Sequence, residues 1–256
     1  MWASLQGLTQ RDMVMDRHIQ VLPDKGAIIQ TALQLILERA QTAIAQRGRF
    51  TIALAGGGTP KPLYEALAQQ SLPWDKVWIF WGDERYVPPT HPDSNEGMAR
   101  QAWLNHVPIP AEQIVPMPTD ADDPAIAAQH HNQQLLDLFQ PPAGTMPSLD
   151  LILLGIGDDG HTASLFPHTA ALTVSDRLVT VGNKDGQPRI TFTAPFINQA
   201  ATVLFLVAGA SKQAALTEIF SDTGDDAAYP ARLIRPQGEL WWLLDTAAAQ
   251  GVPSLL

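Results

Sequence analysis

The chain contains no cysteine among its 256 residues, so it can form no disulfide and offers no thiolate for catalysis. It also lacks a long hydrophobic run: the longest, Ala200–Ala210, falls short of the roughly 20 residues that a membrane helix needs. Its N-terminus has no basic segment followed by an apolar one, the pattern of an export signal. We therefore expect a cytoplasmic protein with no membrane partner.

Positive charge is scarce as well. Lys and Arg together number 16 against 26 Asp and Glu, a formal net charge of −10. That balance argues against nucleic acid or an anionic membrane as a partner. An anionic substrate would have to be held locally, by a few placed cations and backbone amides.

What the chain does have is an alternation of hydrophobic runs and helix-like stretches. The predicted strands are His18–Leu22, Phe50–Ala55, Val77–Trp81, Leu149–Gly155, Leu178–Val181, Ile190–Thr193, Thr202–Ala208 and Leu240–Leu244. The predicted helices are Lys25–Arg47, Ser94–His106, Pro124–Phe139 and Ser211–Phe220, with a further helix entered through Pro60 and Lys61. Asp24 and Asp123 are placed as N-caps, and Gly48 as a stop.

Several central strands are almost continuously apolar, as in a parallel sheet covered on both faces. Strands that alternate with helices indicate an open, mostly parallel α/β sheet with helices on both faces. We expect one domain over residues 17–256 and a flexible extension at residues 1–16. In such sheets ligands bind at the carboxyl ends of the strands, which directs attention to four loops.

The first loop, Ala55–Pro60 (AGGGTP), leaves a predicted strand and enters a helix. Its glycines let backbone amides turn toward one point, and Thr59 is positioned to cap the helix. Amides at a helix N-terminus form an anion site. The spacing does not match a Walker loop, so a nucleoside triphosphate is not expected. The alternative is a purely structural strand–helix turn.

The second loop, Gly82–Pro88, places Asp83, Glu84 and Arg85 directly after a strand that is expected to be buried. A solvated charge cluster is the ordinary interpretation of such a run. Its position at the end of a strand instead favours a role in a ligand-binding or catalytic site.

The third loop contains Gly155, Gly157 and Gly160 in the spacing of a dinucleotide-binding turn, followed by His161. Two features oppose a dinucleotide: Asp158 and Asp159 would repel a pyrophosphate, and Pro167 interrupts the long helix that should follow. The motif also lies late in the chain. A histidine near a carboxylate can instead act as a general base, although a lone histidine is more often structural.

The fourth group supplies cations, Arg189 at the start of a strand and Lys212 near the start of a helix. A lysine in the first turn of a helix opposes the helix dipole, and a bound dianion would reverse that effect. Lys61 occupies a similar position, but a simple solvated role is expected for it. The pair His130-His131 is predicted to be solvated, and no cluster has the ligand spacing of a metal site, so we predict no metal and no cofactor.

Five segments occur in an order that resembles the 6-phosphogluconolactonase family: AGGGTPKPLYEAL, WGDERYVP with Ser94-Asn95 downstream, LLGIGDDGHTASLFP, PRITFT with Asn198 downstream, and GASKQAAL. The resemblance runs from about residue 18 to about residue 245, and GDDGHTASLFP is its most specific block. The chain departs from the family at Ala55 and Gly58, where serines are frequent, and at Asp158, where proline is common.

The resemblance implies an open Rossmann-like fold and hydrolysis of 6-phospho-D-glucono-1,5-lactone, a small-molecule substrate, by a monomer or weak homodimer. His161 would activate water, and amides of the turn that begins at Gly157, or Arg85, would stabilise the oxyanion. The predicted catalytic residues are His161, Asp159 and Arg85. The predicted substrate-binding residues are Gly57, Gly58, Thr59, Asp83, Gly157, Arg189 and Lys212.

Two other functions stay open. Glucosamine-6-phosphate deaminases contain loops that resemble these. They carry an acidic residue where this chain has Phe166, and a tyrosine where it has Arg85. Isomerisation needs carboxylates to move protons at carbon, so these two residues favour hydrolysis. A non-catalytic sugar-phosphate sensor is the second alternative, and the intact His161 loop argues against it.

Overall fold

The main sheet of the protein is parallel and six-stranded. The computed structural model describes residues 16–252, which contain nine strands: β1 (Asp16–Leu22), β2 (Phe50–Leu54), β3 (Val77–Trp81), β4 (Asp83–Arg85), β5 (Leu151–Leu154), β6 (Val179–Lys184), β7 (Gln187–Phe192), β8 (Thr202–Val207) and β9 (Glu239–Asp245). Six of them pair in parallel in the order β1-β9-β8-β5-β2-β3. Every residue of β2, β5 and β8 is buried, so both faces of the sheet centre are covered.

Seven α-helices lie in the described part of the chain: α1 (Lys25–Arg47), α2 (Lys61–Leu67), α3 (Asn95–Ala102), α4 (Pro124–Phe139), α5 (Ala194–Ile197), α6 (Gln213–Ile219) and α7 (Thr246–Ala249). Short 3₁₀ turns cover Trp74–Lys76, Leu104–His106, Ala111–Gln113, Ala170–Thr173, Ala210–Lys212 and Pro230–Leu233. The predicted open, mostly parallel α/β fold is confirmed.

The predicted ends of the long helices are confirmed by their caps. The Asp24 side chain accepts a hydrogen bond from the Ala27 amide at 2.9 Å, and α1 stops at Gly48 with φ +75°. Asp123 accepts from the Ala125 amide at 2.8 Å at the start of α4. Each of the two aspartates accepts from an amide that has no partner within the first turn of its helix.

A second, antiparallel sheet of three strands, in the order β4-β7-β6, stands beside the main one. Two predicted strands, Leu178–Val181 and Ile190–Thr193, fall in it as β6 and β7. The residues Asp83–Arg85 were predicted to be a loop but form β4, because they pair with Arg189–Thr191 of a strand about 100 residues away. A three-residue charged segment contains no sequence pattern that predicts pairing with such a distant strand.

Other predicted boundaries shift by a few residues. The predicted helix Ser94–His106 is interrupted at Trp103, and α6 begins only after the 3₁₀ turn Ala210–Lys212. The predicted N-terminal extension, residues 1–16, lies outside the described residues except for Asp16, the first residue of β1. No helix within residues 16–252 is long and apolar enough to cross a membrane.

His131, predicted to be solvated, is fully buried on α4. It shares a helix face with Ala127 and Leu135, four residues before and after it, and both are buried. Its Nδ1 lies 2.9 Å from Gln134 Oε1, while its Nε2 has no partner among the described residues. Burial lowers the pKa of His131 from 6.5 to about 4.

This buried histidine should make the fold sensitive to mild acid. A base whose folded pKa lies below its unfolded value stabilises the fold above pH 6.5, and that contribution is lost as the pH falls toward 4. The loss is about 2 kcal/mol by pH 5. His131→Leu should therefore gain that much stability over the wild type between pH 7 and pH 5, measured by urea unfolding. A stability difference that is the same at both pH values would show that His131 is not the titrating group.

Candidate active site

A cavity of about 250 Å³ opens at the carboxyl ends of β2, β3, β5 and β8. The loops that follow parallel strands all lie at this edge of the sheet, where ligands bind in folds of this type. Eight of the ten predicted site residues line it: Gly57, Gly58, Thr59, Asp83, Arg85, His161, Arg189 and Lys212. Asp159 and Gly157 do not line it, but each forms a hydrogen bond with His161.

The loop after β2 presents backbone amides that have no internal partner. The amides of Gly57, Gly58 and Thr59 donate no hydrogen bond to the described part of the chain. Gly57 has φ +93°, a conformation that favours glycine. Thr59 does not cap α2, contrary to expectation: the N-cap is Pro60, and no side chain caps this helix. The uncapped N-terminus and the free amides together suit an anion.

Two residues that the sequence analysis missed hold this loop. Tyr64, buried on α2, accepts from the Ala55 amide at 2.9 Å and donates to the Ala55 carbonyl at 2.6 Å. Lys25, at the start of α1, donates its Nζ to the Gly58 carbonyl at 2.6 Å. Neither contact has a local sequence signal, because each joins residues that the fold brings together.

Asn95, at the start of α3, lies against the same loop. Its Nδ2 donates to the Asp83 carbonyl at 2.8 Å, while its Oδ1 is buried without a partner among the described residues. A Cβ on Gly56 would collide with this carboxamide. The glycine therefore allows the loop to lie directly on Asn95, whose side chain is 2% exposed.

The charged side chains of β4 point alternately to opposite faces of the strand. Asp83 and Arg85 line the cavity, whereas Glu84 between them is buried against α3, as alternation along a strand requires. Glu84 accepts from the amides of Asn95 and Glu96, each at 2.8 Å, and so caps that helix. Burial raises the pKa of Glu84, and the amide hydrogen bonds only partly oppose that rise. Its role is structural, and the flanking residues face the site.

Arg85 and Arg189 stand directly opposite each other in the β4–β7 pairing. Burial and the neighbouring Arg85 charge lower the pKa of Arg189. Arg85 donates to the Asp93 carbonyl, but its Nε is buried without a partner in the described residues. The carboxylates of Asp83, Asp93 and Glu84 partly offset the repulsion between the two guanidinium groups, and an anionic ligand in the cavity would offset more of it.

His161 is paired with Asp159 on the β5 loop. The ring Nδ1 and the Asp159 Oδ1 lie 2.5 Å apart, and the His161 amide donates to the same oxygen at 3.1 Å. Partial burial opposes ionisation of Asp159, but the hydrogen bonds from the His161 amide and ring hold its pKa below the usual value. The carboxylate therefore accepts the Nδ1 proton and leaves Nε2 as the free base.

Phe166 packs beside this ring and beside a cation of the site. Its ring centroid lies 4.4 Å from that of His161, and the Arg189 guanidinium lies 5.6 Å from the same centroid. Phe166 is buried and carries no proton to exchange. It thus packs against both the histidine and the arginine.

The glycines of the Gly155–Gly160 segment serve this loop in a way unrelated to dinucleotides. A Cβ on Gly157 would overlap the His161 ring and the Asp159 carboxylate, and Gly160 adopts φ +78° against Tyr229. The Gly157 amide donates to the His161 carbonyl at 2.8 Å, and the Gly160 amide to the Gly157 carbonyl at 3.1 Å. These two amides are therefore engaged, and the predicted oxyanion role does not fit them.

Buried hydroxyls tie the His161 loop to its surroundings. Thr162 Oγ1 donates to the Gly155 carbonyl at 2.9 Å, and Ser164 Oγ donates to Asp83 Oδ2 at 2.6 Å. The Ser164 amide donates to Thr191 Oγ1 at 3.1 Å. The loop is thus joined to both sheets, which limits how far His161 can move.

Lys212, in the turn before α6, lies on the cavity wall and is paired with Asp158. Its Nζ donates to Asp158 Oδ1 at 2.6 Å, which lowers the pKa of that carboxyl. Lys61, the other lysine considered, is exposed and does not line the cavity. Within residues 16–252, no three His, Asp or Glu side chains are grouped so that they could hold a metal ion.

Comparison with known proteins places this site in a family. A family model described as glucosamine-6-phosphate isomerases/6-phosphogluconolactonase matches residues 23–242. The chain belongs to this family. The resemblance seen in the five sequence segments is thereby confirmed.

Relatives within the glucosamine-6-phosphate isomerase/6-phosphogluconolactonase family match nearly the whole chain. The 6-phosphogluconolactonase of Nostoc sp. is 62% identical over 234 residues, 91% of this chain and 98% of its own. That of Synechocystis sp. is 61% identical over 238 residues, 93% and 99% of the two chains. The solved 6-phosphogluconolactonase from Trypanosoma cruzi has a TM-score of 0.82 and 30% identity, and the match covers 93% of this chain and 97% of that one.

Proposed function

We propose that this protein hydrolyses 6-phospho-D-glucono-1,5-lactone to 6-phosphogluconate, the second step of the oxidative pentose phosphate pathway. One observation carries the proposal: a histidine oriented by a carboxylate lines a cavity that is also lined by free amides and two arginines. A base and an anion site within one cavity suit a substrate with an ester at one end and a phosphate at the other. The names of the relatives described above support the same substrate.

The phosphate is held at the Gly57–Thr59 amides, with Arg189 and Lys212 completing its surroundings. These groups give the site a locally positive potential. At long range the net charge of −10 would instead repel an anionic substrate. Fixing the phosphate orients the lactone carbonyl toward His161, the proximity contribution to catalysis.

Hydrolysis then needs one base and one oxyanion donor. His161 Nε2 takes a proton from water as the water oxygen attacks C1 of the lactone, while Asp159 stabilises the imidazolium that forms. Arg85, which lines the cavity, stabilises the negative charge that develops on the carbonyl oxygen. When the tetrahedral intermediate collapses, the bond from C1 to the ring oxygen breaks. His161 returns its proton to that oxygen, and the new acid ionises.

The site also bears on the deaminase alternative within the same family. A deaminase needs an acid near the histidine to move protons at carbon, and Phe166 fills that position with a buried aromatic ring. The third residue of the DER segment is a guanidinium rather than a phenol. Both features suit ester hydrolysis.

A paired assay tests the proposal. The purified protein is supplied with freshly prepared lactone in a pH-stat, and separately with glucosamine 6-phosphate in an ammonia-release assay. We expect acid release well above the spontaneous rate and no ammonia. Ammonia release would identify a deaminase, and binding of 6-phosphogluconate without turnover of the lactone would identify a sensor.

Arg189→Ala should raise KM for the lactone about tenfold and leave kcat within a few-fold, because a hydrogen bond to the charged phosphate is lost while the base and the oxyanion donor remain. Removing one of two adjacent like charges should not destabilise the fold. Steady-state kinetics measures the effect. Arg177→Ala, which removes an exposed arginine paired with Asp176, is the control. An unchanged KM would remove Arg189 from the phosphate site.

A further inference from the structure

Lys212, the lysine that the proposed function assigns to the phosphate, already has an anionic partner. Asp158 Oδ1 accepts from Lys212 Nζ at 2.6 Å and from Ser211 Oγ at 3.0 Å. The Lys212 side chain is 22% exposed and lines the cavity, whereas that of Asp158 is 66% exposed. The carboxylate therefore reaches the lysine from the solvent side, at the edge of the site.

We propose that Asp158 sets the phosphate affinity of this site by competing with the substrate's phosphate group for Lys212. The inference rests on the proposed function, because it takes Lys212 as a ligand of the phosphate. A phosphate dianion that approaches this lysine meets a cation already neutralised by a carboxylate. Binding exchanges one anionic partner of Lys212 for another, so the gain in affinity is smaller than an unpaired lysine would give.

Two adjacent carboxylates in the same loop have separate hydrogen-bond donors. Asp159 Oδ1 accepts from the amide and the ring of His161 and its side chain is 49% exposed, whereas Asp158 Oδ1 accepts from Ser211 and Lys212 and its side chain is 66% exposed. Exposed ion pairs contribute little because water screens them. Asp158 can therefore release Lys212 without disturbing the His161–Asp159 pair.

The competition favours turnover over retention of product. Hydrolysis of the lactone creates a carboxylate in addition to the phosphate, so the product is more anionic than the substrate. A carboxylate that returns to Lys212 weakens the hold on this product and adds repulsion near it. A tight phosphate site without Asp158 would bind substrate better and release product more slowly.

The test compares the wild type with Asp158→Asn, which keeps the side-chain size and removes the charge. We expect the Kd for 6-phosphogluconate, measured by isothermal titration calorimetry, and the KM for the lactone to fall about two- to fivefold, the range set by an exposed ion pair. An unchanged or weaker Kd would overturn the proposal, since it would mean that Asp158 only holds Lys212 in place.

Two further variants separate competition from a general effect of charge. In a Lys212→Met background, Asp158→Asn should no longer tighten binding, and a persisting effect would contradict competition for that lysine. Asp176→Asn removes an exposed, paired carboxylate on another surface and should leave the Kd unchanged. If it tightens binding equally, net charge alone explains the result and the proposal fails.

Failure of the proposed function can be told apart from failure of this inference. If the wild type does not hydrolyse the lactone, the proposed function falls, and inorganic phosphate then serves as the probe for the same variants. Tighter phosphate binding by Asp158→Asn supports the competition, and unchanged binding overturns it. Thermal unfolding followed by circular dichroism shows whether each variant keeps the fold.

Discussion

His161→Ala should lower kcat for the lactone by about 10²–10⁴-fold, the usual contribution of a general base. His161 is the member of the His161–Asp159 pair that lines the cavity. Loss of its ring therefore leaves the attacking water without a base. KM should change little, because the phosphate is bound by other loops. Stopped-flow or pH-stat rates, corrected for spontaneous hydrolysis, measure the effect.

Asp159→Asn is the companion variant to His161→Ala. It keeps the size of the side chain but removes the charge that stabilises the imidazolium, so kcat should fall less than in His161→Ala. The two losses should not add in the double variant, since both act through one base. Turnover by His161→Ala within a few-fold of the wild type would refute the assignment of the base, whatever Asp159→Asn does.

The sheet was predictable because its strands carry the signal themselves. Runs such as Thr202–Val207 are buried along their whole length, and only a sheet covered on both faces explains that pattern. The order of loops along that sheet then predicts which residues meet. His161, Arg189 and the Gly57–Thr59 loop are far apart in sequence, and all reach one cavity.

Contacts that depend on pairing between distant segments could not be predicted in the same way. The three residues of β4 carry no strand pattern, and their partner is chosen by the register that sets Arg85 opposite Arg189. The sequence also did not reveal a partner for Asp158, which the structure pairs with Lys212. A local pattern does not reveal which cation the fold will bring to a carboxylate.

His131 is a different kind of error, because the signal was present. Ala127, His131 and Leu135 recur every four residues and so share one face of α4. The paired histidines His130-His131 suggested a polar face, but helical spacing puts neighbours in sequence on different faces. Weighing each histidine by its own i±4 neighbours would have predicted burial.

Gly157→Ala should lower kcat by about 100-fold while leaving the melting temperature almost unchanged, because small displacements of a catalytic group have effects of that size. The backbone at Gly157 is not left-handed, so alanine is tolerated there, and the only obstacle is space. The added Cβ would meet His161 Nδ1 and Asp159 Oδ1, two side-chain atoms that can move apart. The fold should survive, and the hydrogen bond that orients the base should not.

Gly155→Ala is the matched comparison within the same glycine pattern. A Cβ there comes no closer than 3.9 Å to the Leu206 carbonyl, an ordinary contact, so its effect on kcat should be much smaller. Nitrogen-15 NMR of the His161 ring provides the deciding readout, since loss of the Nδ1–H···Asp159 bond changes the tautomer signal in Gly157→Ala alone. Equal losses of kcat in both variants, with the ring signals unchanged, would show that the glycines matter for loop shape and not for the histidine–aspartate pair.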